Sequence, residues 1–375
     1  MNVIFSCGGT AGHINPAIAV ANVCKERHPD ANILFIGGQG GMEESLVPKA
    51  GFQIKTLPAD GAVRGKSIRA LMQNAKTLVR IAKSVQACKR IIRQFQADVV
   101  VGTGGYASFP ALMAGALMKI PTCVHESNAM PGLTTRLIAD WVDKVLVCFP
   151  ESARHYRHPE RVEVVGMPVK REFIFTRKEA ARKELGLDER PLIVTTFGSQ
   201  GARRMNEMTA KLFRLEQDAG FPYQHIHAVG QYGWPWIHDY IAQQGVDLKN
   251  SPSLSVQEYI YNMPTVMAAA DIVISRAGAS SCNEIAASGT PCILIPSPNV
   301  TDNHQEKNAR ALEEKGGAVV VLESECTEKR LMEEIGALLA DHKRYAAMGK
   351  ALHNMVIPDC AERVCDIMEE LAQRK

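Results

Sequence analysis

The chain has 375 residues and a formal charge of +3 at pH 7. This length predicts two domains, each with its own core, and the near balance of charge argues against nucleic acid as a partner. Ten cysteines without a C-x-x-C pair favour reduced thiols, and with no D-x-D pair in the chain we expect no bound metal. The amino terminus has no basic region and no run of about 18 apolar residues occurs, so we expect neither a signal peptide nor a membrane span.

The first half of the chain alternates short apolar runs with helix-length segments. Such alternation predicts a parallel β-sheet with helices on both faces. Ligands of such sheets gather where the strands end. The predicted strands are 3–6, 33–36, 98–101, 122–125 and 144–148.

Three loops follow predicted strands directly, namely 8–13 (GGTAGH), 102–106 (GTGGY) and 125–128 (HESN). Because parallel strands bring such loops to one edge, we expect the three to line one site. The first loop leads into a helix and ends in His13, which makes His13 a candidate general base. The alternative is an imidazole that only caps the helix or bonds a neighbouring carbonyl.

The same half contains a loose dinucleotide-binding pattern at 102–107 (GTGGYA), with Glu126 about twenty residues further on. A nicotinamide-dependent oxidoreductase is therefore a second hypothesis, although it leaves the glycine loops of the second half unexplained. A third is a non-enzymatic nucleotide-binding module. His13 and Asn128 disfavour it because both are placed for chemistry.

The segment 61–97 is strongly basic, with nine Lys or Arg residues and no acid. Apolar residues recur near helical spacing, which predicts a basic amphipathic helix of the kind that contacts anionic lipid. The alternative is an ordinary helix that covers the sheet, and both can hold together. The predicted apolar stripe consists of Leu71, Leu78, Ile81, Ala82 and Val85.

The charged segment 171–190 has few strand signals and is predicted to connect the domains. A second Rossmann-like half begins at Pro191, and its first strand turns through GSQGARRMN into a helix, which repeats the glycine loop at residue 8. The last helical stretch, 360–371, presents an apolar stripe that needs a partner surface. Further strands are predicted at 225–229, 271–274, 292–295 and 318–322.

The richest stretch of the second half is 275–305. A strand there turns into a helix at 279–281, whose first N–H groups can hold a phosphate, with Arg276 nearby to help. Glu284 follows about one turn later, where a ribose needs a hydrogen-bond acceptor. Asn303, His304 and Gln305 offer groups suited to sugar hydroxyls. The alternative is that the serines and Glu284 only cap and begin a helix.

Six motifs together resemble the MurG family of glycosyltransferase family 28. They cover nearly the whole chain in the family's order: GGTAGH (8–13), GTGGY (102–106), HESNAMPGLT (125–134), GSQGAR (198–203), RAGASSCNE (276–284) and PSPNVTDNHQEKNA (296–309). The resemblance implies a GT-B fold, two Rossmann-like doubly wound α/β domains facing a cleft. It also implies an inverting transfer of N-acetylglucosamine (GlcNAc) from UDP-GlcNAc to lipid I, undecaprenyl-pyrophosphoryl-N-acetylmuramyl-pentapeptide, which yields lipid II for peptidoglycan.

The resemblance further implies domain limits, a location and site residues. The acceptor domain would be 1–165 with 355–375 packing back on it, and the UDP-GlcNAc domain 166–354. No cofactor is implied, and the protein would be peripheral on the anionic cytoplasmic face of the cell membrane. Catalytic roles fall to His13, Asn128 and Glu284. Donor binding falls to Thr10, Ala11, Gly12, Asn128, Lys170, Ser199, Gln200, Ile260, Ala279, Ser280, Ser281, Glu284, His304 and Gln305.

The chain departs from the family pattern at three places. Ala11 stands where the family usually has glycine, and Phe197 precedes Gly198 where glycine is usual. Met167 and Lys170 replace Asn and Arg. An alanine restricts backbone conformation at positive φ, and lysine cannot form the two-pronged contact of arginine.

Overall fold

The computed structural model describes residues 1–58, 68–300 and 303–374, with residues 68–76 described as backbone only. The chain divides into two compact units. The first consists of Met1–Val169 with Asp359–Lys375, and the second of Lys170–Pro358.

The described residues of the first unit form seven strands: β1 (Asn2–Ser6), β2 (Asn32–Gly38), β3 (Gln53–Leu57), β4 (Val99–Gly102), β5 (Thr122–Glu126), β6 (Lys144–Val147) and β7 (Val162–Val164). Neighbouring strands are parallel throughout, in the order β3-β2-β1-β4-β5-β6-β7. The central strands are continuous apolar runs buried on both faces. Edge strand β3 was missed from the sequence because its residues, QIKTL, are half exposed and mixed in polarity.

Within the described ranges, one α-helix follows each of the first five strands: α1 (Ala11–Arg27), α2 (Glu43–Lys49), α3 (Ile68–Phe95), α4 (Ser108–Leu117) and α5 (Leu133–Ile138). One core cluster joins the sheet to α3 and α4 through Ile4, Val100, Ile92 and Leu112. Helices α3 and α4 pack together, and α4 also packs against α5. The loops at the ends of the strands therefore start from a sheet that is packed against helices.

The apolar positions predicted for the basic segment divide into two groups. Val85 is buried and Ile81 packs partly against the core, whereas Leu78 is 68% exposed and Ala82 faces solvent. Helix α3 has 28 residues and its neighbour α4 has 10, so α4 cannot cover the whole apolar face of α3. The rest of the prediction lies outside the described side chains, at 61–67 and Leu71.

In the part of the second unit that the structure describes there are six strands: β8 (Leu192–Thr196), β9 (Gln224–Ala228), β10 (Leu254–Gln257), β11 (Ile272–Ser275), β12 (Cys292–Leu294) and β13 (Val319–Val320). They too are parallel, in the order β10-β9-β8-β11-β12-β13. Its helices are α6 (Glu172–Phe175), α7 (Lys178–Glu184), α8 (Arg203–Asp218), α9 (Trp234–Gln243), α10 (Met263–Ala269), α11 (Ala279–Ser288), α12 (His304–Glu314), α13 (Glu328–Ala340) and α14 (His342–His353).

The charged segment 171–190 is not a connector but a folded part of the second unit. It forms α6 and α7, which pack against α10 through buried Phe173 and Ala181. Arg182 donates from Nη1 to Asp271 at 3.1 Å and from Nη2 to the Arg190 carbonyl at 2.6 Å. The charge of the segment is therefore used in specific contacts within the unit.

Helix α15 (Cys360–Gln373) belongs to the first unit and packs against α1. Its apolar stripe is buried, including Met368 and Leu371. At the rim, Arg27 of α1 bonds Asp366 at 2.5 Å, and His28 lies 2.9 Å from Glu369. The partner surface that this terminal helix needs is therefore α1.

Candidate active site

In the first unit the strand order reverses between β1 and β4, which lie side by side. Such a reversal leaves a crevice beyond the carboxyl ends of the two strands, where ligands of doubly wound sheets bind. The loops that follow these strands are 8–13 and 102–106, both predicted as site loops from the sequence. The topology therefore brings the two loops together.

The first loop orients His13. Thr10 has extended backbone before α1 begins at Ala11, and the His13 Nδ1 atom lies 3.2 Å from the Gly8 carbonyl oxygen and 3.3 Å from the Thr10 hydroxyl. A carbonyl only accepts hydrogen bonds, so Nδ1 carries the proton in the neutral ring. Nε2 is then the basic nitrogen. Ala11 and Gly12 form the first turn of α1, in helical conformation, so Ala11 has no positive φ to strain it.

The GTGGY loop closes over the imidazole. Gly104 and Gly105 have φ of +93° and +78°, a region that favours glycine. A Cβ added to Gly104 would lie 2.9 Å from His13 Cδ2, and one on Gly105 would lie 2.2 Å from the Gly8 carbonyl oxygen. The two glycines are thus needed for the loop to approach His13 and Gly8 closely.

Asn128 lies just beyond the end of β5, the strand next to β4. Its backbone N–H and its Nδ2 both donate to Glu126 Oε1 at 2.9 Å, and Gly132 N donates to Glu126 Oε2 at 2.9 Å. Glu126 is buried and holds the loop that carries Asn128. Both its oxygens are used within the loop, so Glu126 does not act as the ribose ligand that the dinucleotide hypothesis requires.

Glu43 in α2 was missed from the sequence. It is fully buried, and it accepts from Gly38 N at 2.8 Å and from Gly9 N at 3.3 Å. Its carboxylate therefore supports the back of the His13 loop. The available signal was an acid two residues after a glycine pair (Gly40 and Gly41), which points to a backbone contact but not to its partner.

The second unit repeats the arrangement, since its strand order reverses between neighbouring β8 and β11. Ser199 and Gln200 follow β8, and their carbonyls accept from Gln231 N and Tyr232 N at 3.1 and 3.2 Å. Gly201 has φ of +79°, and a Cβ there would lie 2.1 Å from the Val229 carbonyl. Two loops are thereby locked together in front of the amino terminus of α8.

The Phe197 departure has a packing explanation. The side chain is buried at the end of β8, and its ring lies edge-on to the His227 ring at 6.1 Å between centroids. The aromatic residue therefore fills the core beneath the loop, and Gly198, with φ of +90°, makes the turn.

The turn after β11 leads into α11, whose N-cap is Gly278 and whose first residues are Ala279, Ser280 and Ser281. Glycine has no side chain to cap the helix, so the first N–H groups of α11 face the end of the sheet with the positive end of the helix dipole. This geometry suits a phosphate.

Glu284 lies one turn into α11 and is half-buried. Ser280 Oγ donates to its Oε1 at 2.9 Å. Desolvation raises the pKa of the Glu284 carboxyl to about 7, opposed by the Ser280 hydrogen bond and by the charge of Lys170. The carboxyl is therefore poised to change charge near neutral pH.

Arg276, which was expected beside the phosphates, is paired with groups of its own unit. Its Nη2 bonds Glu323 Oε2 at 2.5 Å and its Nη1 donates to the Ile295 carbonyl at 3.1 Å, in a nearly buried position. The arginine thus ties β11 to the neighbouring loops. Its charge is already balanced by a carboxylate.

Three of the remaining predicted residues follow strands of the second sheet. Ile260 is buried just after β10, and His304 and Gln305 begin α12. Gln305 Oε1 accepts from Ser297 N at 2.9 Å, which leaves its amide N–H groups as the atoms to meet a ligand. Lys170 is exposed at the start of the unit.

Among the described residues, no cluster of three or more His, Cys, Asp or Glu could hold a metal ion.

Comparison with known proteins identifies the family. Residues 3–147 match the glycosyltransferase family 28 N-terminal domain and residues 192–364 match its C-terminal domain. The chain is 40% identical to the UDP-N-acetylglucosamine–N-acetylmuramyl-(pentapeptide) pyrophosphoryl-undecaprenol N-acetylglucosamine transferase of Acetivibrio thermocellus, over 100% of this chain and 99% of that protein. The chain belongs to the MurG family.

A second relative carrying the same enzyme name, from Desulforudis audaxviator, is 38% identical over 99% of both chains. The crystal structure of Acinetobacter baumannii MurG superposes with a TM-score of 0.72 at 24% identity, covering 98% of this chain and 99% of that one. The predicted MurG resemblance and the GT-B class of two Rossmann-like α/β domains are confirmed. Membership of the MurG family also removes the oxidoreductase hypothesis.

Proposed function

We propose that this protein is an inverting hexosyltransferase that moves GlcNAc from UDP-GlcNAc to the C4 hydroxyl of the N-acetylmuramyl (MurNAc) unit of lipid I, giving lipid II for peptidoglycan. The observation that carries the proposal is full-length identity of 40% to an enzyme named for this transfer. Two sheet reversals, each lined by glycine turns, support it because the reaction needs a nucleotide site and an acceptor site.

The second unit is the proposed donor site. The amino-terminal ends of α8, behind Ser199 and Gln200, and of α11, at 279–281, supply N–H groups and positive dipole ends for the pyrophosphate. Glu284 would accept from the ribose hydroxyls, and Ile260 would line the base pocket. As the glycosidic bond breaks, charge develops on UDP, and fixed dipoles aimed at that charge lower the barrier.

The first unit is the proposed acceptor site. His13 would take the proton of the attacking hydroxyl on Nε2, since Nδ1 is committed to the Gly8 carbonyl. Direct displacement then forms the new bond from C1 of GlcNAc to the acceptor oxygen as the bond to UDP breaks, and inverts the anomeric carbon. Asn128 would orient a substrate, since an amide cannot act as a base.

The decisive experiment is incubation of the purified protein with UDP-GlcNAc and a lipid I analogue. We expect release of one UDP for each disaccharide formed, with a β1,4 linkage in the product by NMR. UDP-GlcNAc hydrolysis or epimerisation without disaccharide, or an α-linked product, would overturn the proposal.

Donor selectivity should depend on Gln305. Its carbonyl is held by Ser297 N, so its amide group is positioned to donate to a sugar hydroxyl. Hydrogen bonds of this kind discriminate strongly between isosteric substrates. Gln305→Ala is expected to lower the preference for UDP-GlcNAc over its C4 epimer by about tenfold, measured as the ratio of kcat/KM. Gln243→Ala, an exposed glutamine on α9, should leave that ratio alone, and an unchanged ratio in Gln305→Ala excludes the role.

The first unit is also the proposed docking surface for an anionic membrane. The described ranges contain no helix long and apolar enough to cross a bilayer. Helices α3 and α5 both pack against α4. All three helices expose large apolar side chains, namely Leu78, Val79, Leu117, Leu133 and Leu137. Arg80 and Lys83 are exposed on α3 next to these residues. Apolar side chains flanked by cations fit an anionic lipid surface, which is where a lipid-linked acceptor lies.

Vesicle binding tests this surface. Each cation near an anionic bilayer contributes about 1 kcal/mol, so Arg80→Glu with Lys83→Glu should weaken binding to vesicles containing phosphatidylglycerol by at least about tenfold at low salt, measured by co-sedimentation. The control is Lys343→Glu with Arg344→Glu, an exposed pair on α14 of the second unit. Equal losses in both double variants, or no binding by the unaltered protein, would contradict the assignment.

A further inference from the structure

A buried carboxylate is connected to the proposed base by a single peptide group. Glu43 Oε2 accepts from the N–H of Gly9 at 3.3 Å, and the carbonyl of Gly8 accepts from His13 Nδ1 at 3.2 Å. The Gly9 N–H and the Gly8 carbonyl belong to one planar peptide. The order of groups is therefore carboxylate, peptide, imidazole.

Close packing holds this arrangement in place. A Cβ on Gly8 would lie 2.2 Å from Glu43 Oε1, and one on Gly105 would lie 2.2 Å from the Gly8 carbonyl oxygen. The second carboxylate oxygen is held by Gly38 N at 2.8 Å. The peptide is thus pressed between the carboxylate on one side and the GTGGY loop on the other, and side chains larger than hydrogen are excluded at both glycines.

An anion bonded to a peptide N–H polarises the peptide and strengthens its carbonyl as an acceptor. A stronger acceptor at Nδ1 favours the Nδ1–H tautomer and stabilises the positive charge that develops when Nε2 takes a proton. This is the effect that a carboxylate bonded directly to a histidine has in other enzymes. Here the contact is made through the backbone.

We propose that Glu43 is a positioning residue for the transfer reaction, acting on His13 through the Gly8–Gly9 peptide to fix its tautomer and strengthen Nε2 as a base. The inference rests on the proposed function in one respect, that His13 is the base. The carboxylate's effect on the imidazole itself can be measured without any turnover.

Other titratable groups surround the same loop: Cys7 after β1, Tyr106 in the GTGGY loop, and His125 and Glu126 of β5. Burial raises the pKa of the Cys7 thiol and lowers the pKa of His125, so both are neutral near pH 7. Glu126 is engaged by Asn128 and Gly132. Glu43 is the carboxylate bonded to the peptide that His13 contacts. Its removal should therefore change the pKa and the tautomer of His13.

The test compares Glu43→Gln with Glu44→Gln in the full-length protein. Glu44 is the neighbouring acid, is exposed, and receives the same substitution. Histidine ring NMR, with the His13 signals assigned by their loss in His13→Gln, gives the pKa and tautomer of His13. We expect Glu43→Gln to lower the pKa of His13 by about one unit and to increase the Nε2–H tautomer, with no change in Glu44→Gln.

Kinetics give the second readout. Glu43→Gln should lower kcat about tenfold and move the acid limb of the kcat profile to lower pH, because loss of a nearby negative charge disfavours the imidazolium. The affinity for UDP-GlcNAc should be unchanged. A merely structural role would lower the melting temperature without moving the acid limb. Should Glu43→Gln fail to fold, Glu43→Asp decides, since its shorter reach weakens the Gly9 contact and should move the His13 pKa in the same direction.

An unchanged His13 pKa and tautomer in the folded Glu43 variant overturns the inference. If the pKa of His13 falls in the Glu43 variant but the unaltered protein forms no disaccharide, the contact between Glu43 and His13 is supported. The proposed function is then overturned instead. The two failures are therefore distinguishable.

Discussion

His13→Ala is expected to lower kcat by about 100-fold or more while leaving KM for UDP-GlcNAc nearly unchanged. The reason is that the imidazole is oriented as a base, with Nδ1 bonded to the Gly8 carbonyl at 3.2 Å, while the proposed donor site is built from the second unit. Loss of a general base removes an interaction made in the transition state only, so it acts on kcat. Initial rates over a range of both substrates measure the effect.

Two further variants sharpen this test. His13→Gln keeps an amide donor for the Gly8 carbonyl but has no basic nitrogen, so its kcat should be as low as that of His13→Ala. His158→Ala removes a half-exposed imidazole whose Nδ1 lies 3.1 Å from Glu160 Oε1, and this variant should retain full activity. Retained kcat with a raised acceptor KM in His13→Ala would make His13 a binding residue, and the base would have to be sought elsewhere.

Glu284→Gln is expected to weaken UDP-GlcNAc binding by about 10- to 100-fold, the range for losing a hydrogen bond to a charged acceptor. Binding by the unaltered protein should also weaken as pH falls below about 7, because desolvation raises the pKa of this carboxyl to about 7 and the protonated form is a poorer acceptor. Calorimetric titration with UDP-GlcNAc between about pH 6 and 8.5, on both sides of the pKa of Glu284, measures both effects.

The same substitution should have the opposite effect on stability. A carboxyl whose pKa is raised on folding favours the folded state when protonated, so its contribution is present below the unfolded pKa near 4.5 and is lost as pH rises through about 7. Glu284→Gln should therefore raise the melting temperature at pH 8 and have little effect at pH 5. Equal melting temperatures at pH 8, together with unchanged donor affinity, would show that Glu284 is neither desolvated nor a ligand.

Local patterns of the sequence were sufficient for the fold class and for the loops of the site. Apolar runs such as 3–6 and 192–196 predict buried parallel strands because both faces of a central strand need apolar cover. Glycine-rich turns directly after them, at 8–13 and 198–201, predict strand-to-helix loops because few other residues adopt the backbone required. Since both signals are local, they can be read without knowing what lies opposite.

Only the tertiary structure decided which partners the charged side chains take. Arg276, beside the phosphate turn in sequence, pairs with Glu323, 47 positions later by their residue numbers. Leu78 has the helical spacing of the buried Val85, yet it is 68% exposed. Glu43 bonds Gly9 across a separation of 34 residues. Pairings between distant residues leave no periodic or compositional signature in either segment, because they depend on how sheet order and helix length bring the segments together.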